Sequence, residues 1–261
     1  MNKFLFITIL FFTYLVNSQV QPSTKYAQTI TDKELKELLY VYASDYFAGR
    51  EAGTRGQKLA VDFLKDYYIG LGINSAEGTS PTYFQTMKLI IDRKIINTEN
   101  VAAIIPGSDK PKEYIVITSH LDHIGTHDGE INNGADDDGS GTVAMLEIAE
   151  AFKGAYNKGE GPKRSILFLH VSAEEKGLLG SKYYVENPLY PLDDTVANLN
   201  IDMIGRTDPK RLDRDPNYIY LIGSDRLSQE LHDLSEAANN KFTNLILDYT
   251  FNDLNDPNRF Y

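Results

Sequence analysis

Several short segments of this chain end in side chains that can hold a divalent cation or move a proton. His120 closes EYIVITSH, Glu174 and Glu175 follow SILFLHVSA, and Asp202 lies near the end of NLNIDMIG. Between the first two, NNGADDDGSGT sets Asp136, Asp137 and Asp138 just ahead of a predicted helix. Taken singly, each has an ordinary structural use. A strand-end histidine is commonly hydrogen-bonded in place, an aspartate run caps a helix, and a glutamate pair in a turn is solvated. Together, at successive strand ends and helix starts, they converge on one place, because sites in open α/β sheets form beyond the carboxyl ends of the strands. An imidazole among carboxylates is a divalent-metal constellation, and its mixed nitrogen and oxygen donors suit zinc. A rival spacing, Asp136-x-Asp138-x-Ser140-Gly141 followed by Glu147, matches a calcium loop. That loop needs an entering helix, which Ile131-Asn132-Asn133-Gly134 does not supply, and Glu147 falls within a helix running from Thr142 to Phe152.

The elements that must position these residues alternate. Thr31-Asp32-Lys33-Glu34 reads as a capping box opening a helix with Leu35, Leu38, Leu39, Tyr42 and Tyr46 at helical spacing. A Gly-punctuated loop, AGREAGTRG (48–56), leads to a second helix ending near Leu71. Strands are expected at YFQTMKLII, NVAAIIP, EYIVITSH and SILFLHV, the last two apolar enough to be buried on both faces. Helices are expected at 140–153 and LLGSKYYVEN. A strand in VANLNIDMIG, one at 218–222, a helix at 226–240 and a strand at 244–250 follow. The chain reads as one α/β domain over 31–261, a mostly parallel or mixed central sheet with helices on both faces.

Residues 1–18 carry one lysine and a 13-residue apolar run from Phe4 to Val16, too short to span a bilayer and followed by small residues. This predicts a secretory signal peptide, a polar leader at 19–30, and secreted or periplasmic localisation without stable membrane association. Without residues 1–18, 25 basic residues face 37 acidic ones, a net charge of −12. That balance argues against nucleic acid and anionic membranes as partners. The chain has no cysteine, so neither disulfides nor a lipoprotein anchor is available.

SHLDHIG (119–125), GADDDGSGT (134–142), SAEEKGLLGS (172–181) and NIDMIG (200–205), with YFAGREAGTRG upstream, resemble the co-catalytic zinc exopeptidases of peptidase family M28. The resemblance runs from about residue 30 to the end. It implies two zinc ions and peptide substrates with a free N-terminus, cleaved by metal-activated water. His120 and Asp202 would bind one zinc, Asp137 would bridge both, and Glu175 would bind the second. Glu174 would be the general base, and Asp122 would hold His120 by an outer hydrogen bond. Consecutive side chains in an extended segment point opposite ways, so Glu174 and Glu175 could divide these tasks. His123 is given a supporting place, and His127, His170 and His232 are read as structural or solvated.

The family pattern includes a further histidine in a Ser-Asp-His segment close to the C-terminus. No histidine follows His232, and NDLNDPNRFY resembles the approach to that segment. The expectation is therefore a C-terminally incomplete domain with one well-held zinc, a poorly held second one, weak or absent activity, and exposed apolar sheet. Two other readings stay open. One is glutaminyl cyclase, whose relatives share the fold with a single zinc; the other is a secreted metal-binding module without turnover. Carboxypeptidase specificity is a variant within the family, and AGREAGTRG fits either a site rim or a simple helix connection.

Overall fold

The computed structural model describes residues 22–91, 93–211 and 215–252. The predicted signal peptide and the last nine residues lie outside them. In chain order the helices and strands are α1 (Pro22–Ala27), α2 (Asp32–Tyr42), α3 (Arg55–Leu71), β1 (Asn74–Ser75), β2 (Phe84–Ile91), β3 (Lys94–Ile105) and β4 (Lys110–His120). Next come β5 (Gly125–His127), β6 (Glu130–Asn132), α4 (Gly141–Asn157), β7 (Arg164–Val171), α5 (Leu179–Glu186) and β8 (Thr195–Asn200). The last are β9 (Tyr218–Tyr220), α6 (Ser224–Leu227), α7 (Gln229–Phe242) and β10 (Ile246–Asp248).

The central sheet runs β1-β3-β7-β4-β8, with β2 also paired to β3. β4 is parallel to β7 and β8, whereas β3 is antiparallel to β7, so the sheet is mixed as expected. Alternation along the strands sends Val101, Ala103, Ile105, Ile117, Ile166 and Phe168 to one face, against Leu64 and Tyr68 of α3 and Val143, Met145 and Leu146 of α4. Ala102, Tyr114, Val116, Leu167, Leu169 and Val171 face the other way, against Tyr184 of α5 and Tyr190. Helices therefore cover both faces.

β7 is buried from Ser165 to Val171, as its unbroken apolar run predicts. β8, on the far side of β4, is largely exposed. Beside it lies an open groove of about 550 Å³, lined largely by apolar side chains including Ile115, Ile117, Phe152, Leu199 and Ile201. β9 and β10 form a separate parallel pair.

Two local readings change. Part of the expected leader is helix α1, whose Tyr26 hydroxyl donates to Glu160 at 2.7 Å. The predicted helix from Thr31 ends at Tyr42, leaving Tyr46 exposed in the following 3-10 turn. The cap is present: the Thr31 hydroxyl oxygen accepts the Glu34 backbone N–H at 3.2 Å.

Candidate metal centre

β4 and β7 lie side by side with His120 opposite Val171, so the two strands release their chains at the same edge of the sheet. β8 joins β4 on the other side, and the Ile201 N–H still pairs with Thr118. Its continuation brings Asp202 beside His120, 3.8 Å from Nε2. The loop from β6 into α4 supplies Asp137, whose Oδ1 lies 3.0 Å from the same Nε2. His120 Nδ1 donates to the backbone carbonyl of Asp122 at 3.1 Å, which turns Nε2 toward the Asp137 and Asp202 carboxylates.

Asp137 spans two groups. One, His120 with Asp202 and Asp138, shares ligand atoms within 4.8 Å of one another; the second, His123 with Asp137 and Glu175, does the same. Asp137 Oδ1 turns to His120, while Oδ2 is 4.0 Å from His123 Nδ1. His123 Nδ1 is 2.6 Å from Glu175 Oε1.

Five of the six expected residues, His120, Asp137, Glu174, Glu175 and Asp202, thus meet at one edge of the sheet. Asp122 is also there, but in a different posture from the one expected. Its Oδ1 is 3.9 Å from His120 Nδ1 and instead accepts the Glu174 backbone N–H at 3.1 Å. The side chain of Asp122 therefore positions the glutamate turn, and its main chain positions His120. Glu174 and Glu175 also depart from the extended geometry. Ala173 takes a left-handed φ of 56°, and Glu174 O accepts the N–H groups of Gly177 and Leu178 at 2.8 and 2.9 Å. The two glutamates therefore sit in a turn and not in a strand.

The electrostatics follow from burial. Burial opposes charge on His120, but the hydrogen bond to Asp137 and the charges of Asp138, Asp202 and Asp122 outweigh it and lift its pKa to about 10. Burial pushes Asp122 up to about 6, and also raises Glu174, Asp202 and Asp138 above the usual carboxylate range. Asp137 is held low, first by its His120 hydrogen bond. More carboxylates are gathered here than His120, His123 and the Arg50 guanidinium could offset.

Three features of this wall had no local sequence signal. Asp138 is fully buried, and its carboxylate accepts the N–H groups of His120, Gly141 and Met203 at 3.1, 2.9 and 3.3 Å. Ser140 Oγ and Asp136 Oδ1 accept those of Ile204 and Gly205, so acceptors at 136, 138 and 140 hold the backbone that follows Asp202. Arg50, also fully buried, donates to the carbonyls of Leu121, Tyr42, Asn133 and Gly134 at 2.7–3.1 Å and stacks over Tyr42. Glu51 accepts from Lys176 at 2.8 Å, which ties the same loop to the glutamate turn. AGREAGTRG thus forms the wall of the site. The calcium-loop spacing does not form one site: Glu147 is buried within α4 and accepts from Tyr67.

The other histidines stand apart. His170 is buried between Tyr68 and Ser119, with burial lowering its pKa to about 3. His127 donates to Ile124 O, and His232 of α7 pairs with Ser224 of α6.

Residues 100–258 match the family model for peptidase family M28. The chain belongs to that family. It is 31% identical to the aminopeptidase YwaD of Bacillus subtilis over 163 residues, which is 58% of this chain and 33% of that protein. Its fold is similar to that of a Zn-dependent exopeptidase from Parabacteroides distasonis, with a TM-score of 0.62 at 18% identity over 84% of this chain and 75% of that one. A glutaminyl cyclase from Bacteroides thetaiotaomicron has the same fold, with a TM-score of 0.62 at 17% identity over 83% of this chain and 75% of that one. The chain spans 15–35% of the length of the first curated relatives it matches. Among the described residues, no helix is long and apolar enough to cross a membrane.

Proposed function

We propose that this chain carries a two-zinc aminopeptidase centre that releases N-terminal residues from peptides, and that it is exported by its N-terminal segment. The observation that carries the reading is Asp137, whose two oxygens face separate ligand groups. His120 and Asp202 would hold one ion, Glu175 the other, and Asp137 both. The donor set fits zinc: a histidine whose Nε2 is turned to the carboxylates of Asp137 and Asp202, and more buried carboxylates than nearby cationic groups. When bound, zinc polarises the scissile carbonyl and lowers the pKa of water.

The chain's own residues supply the rest. Burial and the charges of Asp202, Glu175 and Asp137 raise the affinity of Glu174 for a proton. That suits a base that takes a proton from the attacking water and returns it to the departing amine. Asp122 fixes the Glu174 backbone, and the Arg50 loop holds the segments bearing His120 and Asp137. Family membership and the name of YwaD support the aminopeptidase reading. The second ligand group favours it over a single-zinc cyclase.

The test is hydrolysis of an aminoacyl amide by the zinc-loaded full chain, compared with its N-acetylated form and with an N-terminal glutaminyl peptide. The expected result is cleavage of the unblocked amide only, reduced about 10²–10⁴-fold by Glu174→Gln at unchanged zinc content. Cyclisation of the glutaminyl peptide, or an unchanged rate in the variant, would refute the reading.

A further inference from the structure

His123 lies three residues beyond His120, outside the ligand set that the family pattern assigns, yet it closes the second half of the centre. Its ring is mostly buried, and Nδ1 lies 2.6 Å from Glu175 Oε1. Despite that approach, neither atom has a hydrogen-bond partner among the described residues, although both are fully enclosed. An N–H here would be buried without an acceptor, and a lone pair would face a carboxylate oxygen. Either arrangement is unfavourable in a buried place. A cation held by both atoms would remove both conflicts.

The position of the ring is built in. Gly134 has φ +53°, and a Cβ there would come within 2.4 Å of the His123 ring and of the Asp137 carbonyl oxygen. The loop that carries Asp137 therefore leaves room for this imidazole and no more. Asp137 Oδ2 completes the group at 4.0 Å from Nδ1. The other two members are carboxylates, so His123 is its one nitrogen donor.

We infer that His123 binds the second metal ion through Nδ1, together with Glu175 and the far oxygen of Asp137. This rests on the two-zinc reading above. It makes the second ion's protein ligands one imidazole and two carboxylates, the donor count of a catalytic zinc that keeps an open position.

The test uses the absence of cysteine from the chain. His123→Cys in the full-length protein, loaded with cobalt(II), places the only thiol at the inferred ligand position. A near-ultraviolet thiolate-to-cobalt absorption is expected on addition of the second equivalent. The same change at the exposed His127, whose ring hydrogen-bonds to Ile124 O away from the ligand groups, should give none. If both proteins bind two cobalt ions and His123→Cys shows no such band, the inference is overturned while the two-metal centre stands. If the unsubstituted chain binds no metal, the proposed function fails with it.

A second measurement needs no variant. In the chain labelled with ¹⁵N-histidine, zinc saturation should produce the large shift of a metal-bound ring nitrogen in two of the five histidines, His120 and His123. A single such histidine would overturn the inference.

Discussion

Asp138 and Glu175 are carboxylates in the same centre, held in opposite ways. Asp138 is fully buried and accepts three backbone N–H groups, from the end of β4, the start of α4 and the segment after β8. Glu175 sits on a turn, and its Oε1 ends enclosed beside His123 without a hydrogen bond among the described residues. The end of the centre rooted in strands is therefore fixed by the fold, with His120 oriented by a carbonyl and Asp202 by the clasp around Asp136, Asp138 and Ser140. The end rooted in turns has its ligands gathered but unsatisfied, so the ion itself completes it. This predicts a tight first metal and a weaker second one.

Removing a clamp should damage the whole centre. Arg50→Ala leaves carbonyls of Leu121, Tyr42, Asn133 and Gly134 without their donor in a buried place, and should lower unfolding free energy by about 3–5 kcal/mol. Denaturant titration of the metal-free protein measures this, and a loss below about 1 kcal/mol would show that the loop holds without it. Asp138→Ala should cost about 2–4 kcal/mol and weaken the first metal, because three segments lose a shared acceptor. A stable variant with normal metal affinity would remove the clasp from the account.

Acidity acts on the rigid side through His170. His170 stays neutral in the fold to about pH 3, whereas in the unfolded chain it takes up a proton near pH 6.5. The unfolded state thus binds the extra proton between those values, and the His170 contribution, fully present above about pH 6.5, is lost as pH falls towards 3. The slope approaches about 1.4 kcal/mol per pH unit. Urea titrations across that window should show it, and His170→Gln should flatten it by one proton's worth. An equal slope in both proteins would contradict the assignment.

Glu175→Gln should have the smallest effect on the metal-free fold, about 0.5 kcal/mol or less, because no hydrogen bond to Oε1 is lost. Its effect should appear in the second metal alone. A destabilisation comparable with that of Asp138→Ala would erase the contrast between the two ends.

Much of this arrangement was legible in the chain. The unbroken apolar runs of β4 and β7 required a sheet buried on both faces, and the polar residue closing each run marked the edge where a site could form. Placing Glu147 inside a helix disposed of the calcium spacing. The clamps were hidden because they depend on partners far along the chain: Arg50 reaches carbonyls 71–84 residues away, apart from that of Tyr42. The alternation Asp136, Asp138, Ser140 was visible, but its partners at 203–205 come from another strand's end. His123 was visible too, three residues after His120. Only the left-handed turn at Ala173, which swings Glu175 toward it, gives that spacing a consequence.

Calorimetric titration of the metal-free full chain with zinc tests the central claim most directly. The account predicts two steps of unequal affinity, with Glu175→Gln abolishing only the weaker. Two equivalent ions, a single ion, or loss of the tighter step in that variant would contradict it.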